Sequence, residues 1–178
     1  MTETTENILF KPREEILEYA RKRLGTETTP VKGRYPVEYD PIRRYCHMIN
    51  DDNPLFLDPE YAKQAGYGDA VCPPLLISYF AGKGVWPPTV QSAHLLSALP
   101  FPTPETPYTS IAVAVEFEFF KPVIVGDRLS SKDRIGDIYV KAIKRDPEAI
   151  WTVNEQIITN QNGEVVTILK FISVYWKR

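Results

Sequence analysis

The chain has 178 residues, 43% of them hydrophobic and 25% charged, with a formal net charge of −2. A chain of this length suits one domain with a real core. Near-neutrality excludes any general pull toward nucleic acid or an anionic membrane, leaving room only for a local basic patch. Met1 to Phe10 is polar and acidic, unlike a signal or transit sequence, and no apolar run approaches the roughly 18–20 residues that span a bilayer. The expectation is a soluble, cytoplasmic protein in which Cys46 and Cys72, far apart in the sequence, are reduced and buried.

Pro12 to Leu24 reads as a first helix, with Pro12 suited to its first position. Glu14 and Glu15 favour its positive end, Arg21, Lys22 and Arg23 the other, and Gly25 stops it. Ile16, Leu17, Ala20 and Leu24 make its apolar stripe. Pro30, Gly33 and Pro36 allow only a short extended segment before Tyr39. Asp40-Pro41 is expected to cap and start a second helix with Ile42, Tyr45, Cys46 and Ile49 as its stripe. A loop from Asn50 to Asp58 follows, then a short helix from Pro59 to Ala65 ended by Gly66. Leu75 to about Gly82 reads as a further apolar helix, cut by Gly82, Gly84, Pro87 and Pro88, so only about 12 Å long at ~1.5 Å per residue. Residues 83–108 are proline-rich, yet Leu95, Leu96, Leu99 and Phe101 suit an ordered flap over hydrophobic surface.

From Tyr108 the period becomes two. Ile111, Val113, Val115, Phe117 and Phe119 predict a strand with one buried face. Arg128 to Val140, Ala149 to Thr159 and Val165 to Trp176 read as further strands. Trp151, Val153, Glu155 and Ile157 share one face, and Asn160-Gln161-Asn162-Gly163 forms a hairpin turn. Helices first and an antiparallel meander afterwards predict an α+β domain.

Three segments then resemble the MaoC-like hydratases, and in particular the FAS1-like dehydratase N-terminal domains. Asp51-Asp52-Asn53-Pro54-Leu55-Phe56-Leu57-Asp58 is similar to that family's Asp-x-Asn-Pro-x-His-x-Asp motif. Gly66-Tyr67-Gly68 through Val71-Cys72-Pro73-Pro74 is similar to its entry into the central helix. Phe120-Lys121-Pro122-Val123 with Val125-Gly126-Asp127-Arg128-Leu129 resembles its strand–turn–strand signature. The resemblance spans roughly residues 30–176. It implies a single hot-dog domain, an antiparallel sheet wrapped around a short central helix, over 29–178, with an N-terminal helical extension over 1–28. Within the family the chain looks most like the non-catalytic hot-dog domain of heteromeric steroid-side-chain enoyl-CoA hydratases.

Such hydratases add water to an enoyl thioester with an Asp and a His that share acid–base work, and hold the thioester oxygen on backbone N–H groups at the start of the central helix. Here Asp51 and Asn53 match, but Phe56 stands at the histidine position, and a phenyl ring cannot move a proton. Two readings of Asp51 stand: a lone acid–base residue in a degenerate site, or a loop aspartate capping backbone N–H groups. His47, on the second helix, and His94, in the flap, are the available substitutes. Pro73 and Pro74 carry no N–H, leaving Cys72, Leu75 and Leu76 as donors. The resemblance places substrate contacts at Asn53, Phe56, Tyr67, Gly68, Cys72, Pro74 and Leu75.

Asp51-x-Asn53 lacks the ligands and glycine of a calcium loop, no His/Cys spacing suits zinc, and Gly82-x-Gly84 is not a nucleotide fingerprint. No cofactor or metal is expected. The implied partners are an acyl-CoA thioester and a MaoC-like catalytic subunit or a second copy, with no nucleic acid and no membrane. The implied function is the substrate-binding or structural subunit of an (R)-specific enoyl-CoA hydratase, a hydro-lyase complex acting on a bulky acyl-CoA. A homodimeric hydratase or 3-hydroxyacyl dehydratase using Asp51, and a non-enzymatic acyl-CoA or acyl-carrier-protein binding module, are the alternatives.

Overall fold

A computed structural model describes residues 5–82 and 96–178, with side chains from Ile8 onward. Its helices are α1 (Arg13–Arg21), α2 (Tyr39–Ile49), α3 (Pro54–Leu57), α4 (Pro59–Gln64) and α5 (Ile77–Ala81). Its strands are β1 (Val31–Lys32), β2 (Tyr108–Phe119), β3 (Ser130–Val140), β4 (Ile150–Thr159) and β5 (Val165–Lys177). The strands form one antiparallel sheet in the order β1-β3-β4-β5-β2. The β4–β5 turn forms as its residues demand. Gly163 takes φ 76°, and Asn160 Oδ1 accepts from the N–H groups of Asn162 and Glu164. The α+β hot-dog class follows from this sheet and the helices on one of its faces.

Apolar residues on that face gather in two clusters. One surrounds α5 and joins Ile42 and Cys46 of α2 to Phe80, Leu129, Ile158 and Leu169. The other joins Ile16 and Ala20 of α1 to Leu99, Ile135, Ile150 and Tyr175. α5 lies very close to the chain before α2: a Cβ on Gly33 would stand 2.1 Å from the Phe80 carbonyl oxygen. Only glycine fits there. Arg13 ties α1 to the sheet, its guanidinium 2.9 Å from the buried Asp146 and also paired with Glu148. Burial pushes the Asp146 carboxyl up, but hydrogen bonds from the N–H groups of Lys177 and Glu148, together with Arg13, outweigh it and hold it below its ordinary value.

Several local expectations are corrected. α1 begins after Pro12 and ends at Arg21; Leu24 is 42% exposed, because Gly25 at φ 75° turns the chain to bond β3 through Ile135 O. Asp40 does not cap α2. Glu38 holds that position without a side-chain bond, and Asp40, within the first turn, pairs with Arg43 and Arg44. The loop after α2 contains the short helix α3. The largest correction concerns β2, which is an edge strand with Ile111, Val113, Val115 and Phe119 each about half exposed. A bulge between Ala112 and Ala114 breaks the alternation, so Ile111 and Phe117 lie on opposite faces. Of the proline-rich segment, residues 83–95, including His94 and Leu95, lie outside the described residues. Leu99 is buried, while Phe101 is 72% exposed.

Candidate functional site

The Asp51–Asp58 segment is held by its own side chains. Asn50 ends α2 in the left-handed region at φ 57°, and Asp51 N–H returns to Cys46 O at 2.9 Å. Asp51 Oδ1 accepts from Asn53 N–H at 3.1 Å, Asn53 Oδ1 accepts from Leu55 N–H at 3.0 Å, and Asp58 Oδ1 caps α4 through Glu60 and Tyr61. Each polar residue of the motif therefore ends a turn or starts a helix. Phe56 turns its ring against the cluster around α5. It is packed as a hydrophobe, with no proton to give. His47 is exposed on α2.

Beside this segment, the stretch from Ala70 to Cys72 is stitched on both sides. Val71 N–H bonds Leu55 O at 2.8 Å, Cys72 N–H bonds Val123 O at 2.7 Å and Val125 N–H bonds Ala70 O at 3.0 Å. The ring of loops encloses a cleft of about 330 Å³ at the start of the central helix. Tyr67, Cys72 and Pro74 line it, as do Leu55, Phe119 and Phe120. It is mostly apolar, with Lys121 at its rim paired to Glu164. Of the remaining sequence candidates, Asn53 and Phe56 lie in the neighbouring turn, Leu75 is 59% exposed outside the cleft, and Gly68 holds φ 80°.

Among the candidate backbone donors, Cys72 N–H is committed to Val123 O and Leu76 N–H to Pro73 O at 2.9 Å. Leu75 N–H bonds no carbonyl among the described residues, the one of the three donors not committed there. The Cys72 thiol is pushed up to about 12 by burial, with Cys46 and Asp127 adding to the shift. It stays protonated at neutral pH and is no nucleophile. Asp127 is also spent on structure: its carboxylate accepts from Ile124 N–H and the Gln161 amide. Among the described residues, no three His, Cys, Asp or Glu side chains group to hold a metal ion, and no helix is long and apolar enough to cross a membrane.

The walls Phe119 and Phe120 belong to a segment that the sequence marks only as a family signature. What it could not show is that β2 ends at the cleft, because strand pairing brings that end beside Tyr67 and Pro74.

An antiparallel sheet curled about a short helix, with an Asp-x-Asn-Pro loop set beside the start of that helix, defines a hot-dog domain of the hydratase and dehydratase type. The FAS1-like dehydratase domain region model matches residues 22–169, and the chain belongs to that family. A "Probable enoyl-CoA hydratase alpha subunit" of Thermomonospora curvata is 29% identical over 143 residues, covering 77% of this chain and 44% of that protein. The chain thus spans less than half the length of that relative. A UPF0336 protein of Saccharopolyspora erythraea is 30% identical over 148 residues, 81% of this chain and 83% of the relative. In fold, the chain is similar to a chain of the ChsH1-ChsH2 complex from Mycobacterium tuberculosis, with TM-score 0.70 at 18% identity over 93% of each chain. It is also similar to the MaoC-like dehydratase from Rhodospirillum rubrum, with TM-score 0.58 at 20% identity over 87% of this chain and 93% of that one.

Proposed function

We propose that this chain is the substrate-binding and structural subunit of a heteromeric (R)-specific enoyl-CoA hydratase acting on a bulky acyl-CoA in the cytoplasm. A MaoC-like partner subunit would supply the catalytic Asp and His. The observation that carries the reading is the state of the degenerate motif: Phe56 is packed into the core and the Asp51 carboxylate is spent on a turn. A chain with the cleft but without a base needs a second chain for the chemistry. β2 supports this, because its outer edge is unpaired in the sheet and it ends at the cleft, where a paired domain would cover the open side. The short α5 leaves more of the sheet face for a bulky acyl group than a long central helix would. Similar proteins are named as an alpha subunit and as members of the ChsH1-ChsH2 and HadBC complexes, which fits a subunit role.

The test is enoyl-CoA hydration by the purified chain alone and after mixing with the product of a neighbouring gene that encodes an intact Asp-x-Asn-x-x-His loop. Activity only in the mixture is the expected result. Activity of the chain alone, abolished by Asp51→Asn, would overturn the proposal in favour of a homodimeric enzyme. Thioester binding without hydration in either case would make the chain a binding module.

A further inference from the structure

The two apolar clusters do not meet across the middle of the sheet's helix-facing side. Cross-strand partners share a face. Gln156 pairs with Leu169, Asn154 with Ile135 and Phe171, and Thr152 with Ile138 and Ser173. Leu169, Ile135 and Ile138 are core residues, so Gln156, Asn154, Thr152 and Ser173 all face inward. They form a polar stripe of hydroxyls and amides, with Asp133 opposite Gln156 at one end, where a helix-covered sheet would carry aliphatic side chains.

The stripe is not satisfied by the described residues. Thr152 is fully buried, and its Oγ1 and the buried Oδ1 of Asn154 have no hydrogen-bond partner among them. Gln156 and Ser173 make no side-chain hydrogen bond to the described residues. A fold-only role would be better served by valine and leucine, since buried polar atoms left unpaired cost stability. The two unpaired atoms lie just beneath a partly open surface: Val115, opposite Phe171, is 47% exposed, and Asn154, Gln156 and Ser173 are partly exposed around them.

Its position relates it to the cleft. Phe119 lines the cleft, and Val115 lies four residues back along the same strand, about 13 Å at ~3.3 Å per residue. Ala112, opposite Ser173, lies seven residues back, roughly 23 Å away at ~3.3 Å per residue. A group seated on the stripe would thus belong to the far end of an acyl chain whose thioester sits in the cleft.

We propose that Thr152 and Asn154, flanked by Gln156 and Ser173, recognise a hydroxyl group carried on the acyl moiety remote from the thioester. The hydroxyl would donate to Asn154 Oδ1 and accept from the Thr152 Oγ1 hydroxyl, satisfying both atoms at once. This inference rests on the acyl-CoA reading above and names its substrate class: long or ring-containing acyl-CoAs with a distal hydroxyl.

The test is titration calorimetry of the full chain with dodecanoyl-CoA and 12-hydroxydodecanoyl-CoA, on the wild type, Thr152→Val and Asn154→Leu. The wild type is expected to prefer the hydroxylated compound by about tenfold or more. Either variant should reduce that preference to about twofold or less, with dodecanoyl-CoA binding unchanged. Thr152→Val, nearly isosteric, should melt at or above the wild-type temperature. Equal affinities in the wild type, or a preference that survives both variants, would overturn the inference while leaving acyl-CoA binding intact. A lowered melting temperature for Thr152→Val would show that an internal water already satisfies the hydroxyl, and would overturn it as well. Binding of neither compound would overturn the acyl-CoA reading itself, and the inference with it.

Discussion

Asp51 separates a structural loop from a catalytic one, and paired substitutions read the difference. Its Oδ1 accepts from Asn53 N–H at 3.1 Å, in a half-buried turn that sets up the Asn53 cap of α3. Asparagine keeps an oxygen at that place and can accept the same bond, so Asp51→Asn should change stability by no more than about 0.5 kcal/mol. Alanine removes the acceptor and leaves the Asn53 N–H to water, at a cost of about 1 kcal/mol. A general acid or base behaves in the opposite way: the amide, unable to exchange a proton, would lose about 10²–10⁴ in rate with stability intact. The assays are urea unfolding of each variant and hydration of a trans-2-enoyl-CoA, followed by loss of the conjugated thioester absorbance, with the catalytic partner present. The expected pattern is an unchanged rate for Asp51→Asn and a small stability loss for Asp51→Ala. A rate loss of about 10² or more in Asp51→Asn at unchanged stability would refute the structural role.

Cys72, raised to about 12, and the fully buried Cys46 should both resist a thiol reagent in the native chain at pH 8 and both react in guanidinium. Cys72 carries roughly 10³-fold fewer thiolates there than a free cysteine of pKa about 8.5, so one fast native equivalent would contradict the assignment. Gly33→Ala drives a Cβ into the Phe80 carbonyl and should lower stability by about 3 kcal/mol or more, measured by urea unfolding; a neutral result would mean that α5 sits farther away. Asp146→Asn should cost about 1–3 kcal/mol at pH 7, because it removes the buried carboxylate and leaves the part-buried Arg13 only the exposed Glu148 as a charged partner. The folded Asp146 is depressed below its ordinary value, so its contribution is present above the unfolded pKa of about 3.9 and fades as pH falls through the lower folded value. The gap between wild type and variant should therefore close below about pH 4, and a gap that widened on acidification would show the sign to be wrong.

Element types and order were legible because they rest on local periodicity and turn chemistry. Gly163 and Asn160 close the β4–β5 hairpin with the conformations their residue types favour. The failures come from long-range pairing. The alternation from Ile111 to Phe119 reads as one buried face, but sequence cannot say that β2 is an edge strand or that it carries a bulge. Asp40 looks like a cap beside Pro41, yet the helix is capped two residues earlier at Glu38, and the carboxylate serves the two arginines that follow. In the site, Tyr67, Cys72 and Pro74 were legible as a motif, whereas Phe119 and Phe120 join them only through the sheet. β4 could be read only in part. Trp151, Val153, Glu155 and Ile157 share one face as expected, but only register with Ile135 and Leu169 shows that the alternate residues Thr152, Asn154 and Gln156 turn inward, an inversion of the usual pattern.

That inversion needs a cause beyond a sheet that simply faces water on its polar side. If solvent alone set the pattern, the formal charges would lie on the same face as Asn154 and Thr152. Most lie on the other, Asp133 opposite Gln156 being the exception. Arg134 on β3 bonds Glu155 on β4 at 2.6 Å, and Lys170 on β5, opposite Glu155, lies 3.6 Å from Glu118 on β2. This ladder of alternating charge crosses the outer face, where water screens it and Tyr139 stacks on Trp151 beside it. Beyond Asp133 at its end, the inner stripe holds hydroxyls and amides, which can be buried provided that something bonds them. The proposed distal hydroxyl accounts for this division: it would pair Thr152 and Asn154, whereas a purely aliphatic acyl group would leave both unpaired.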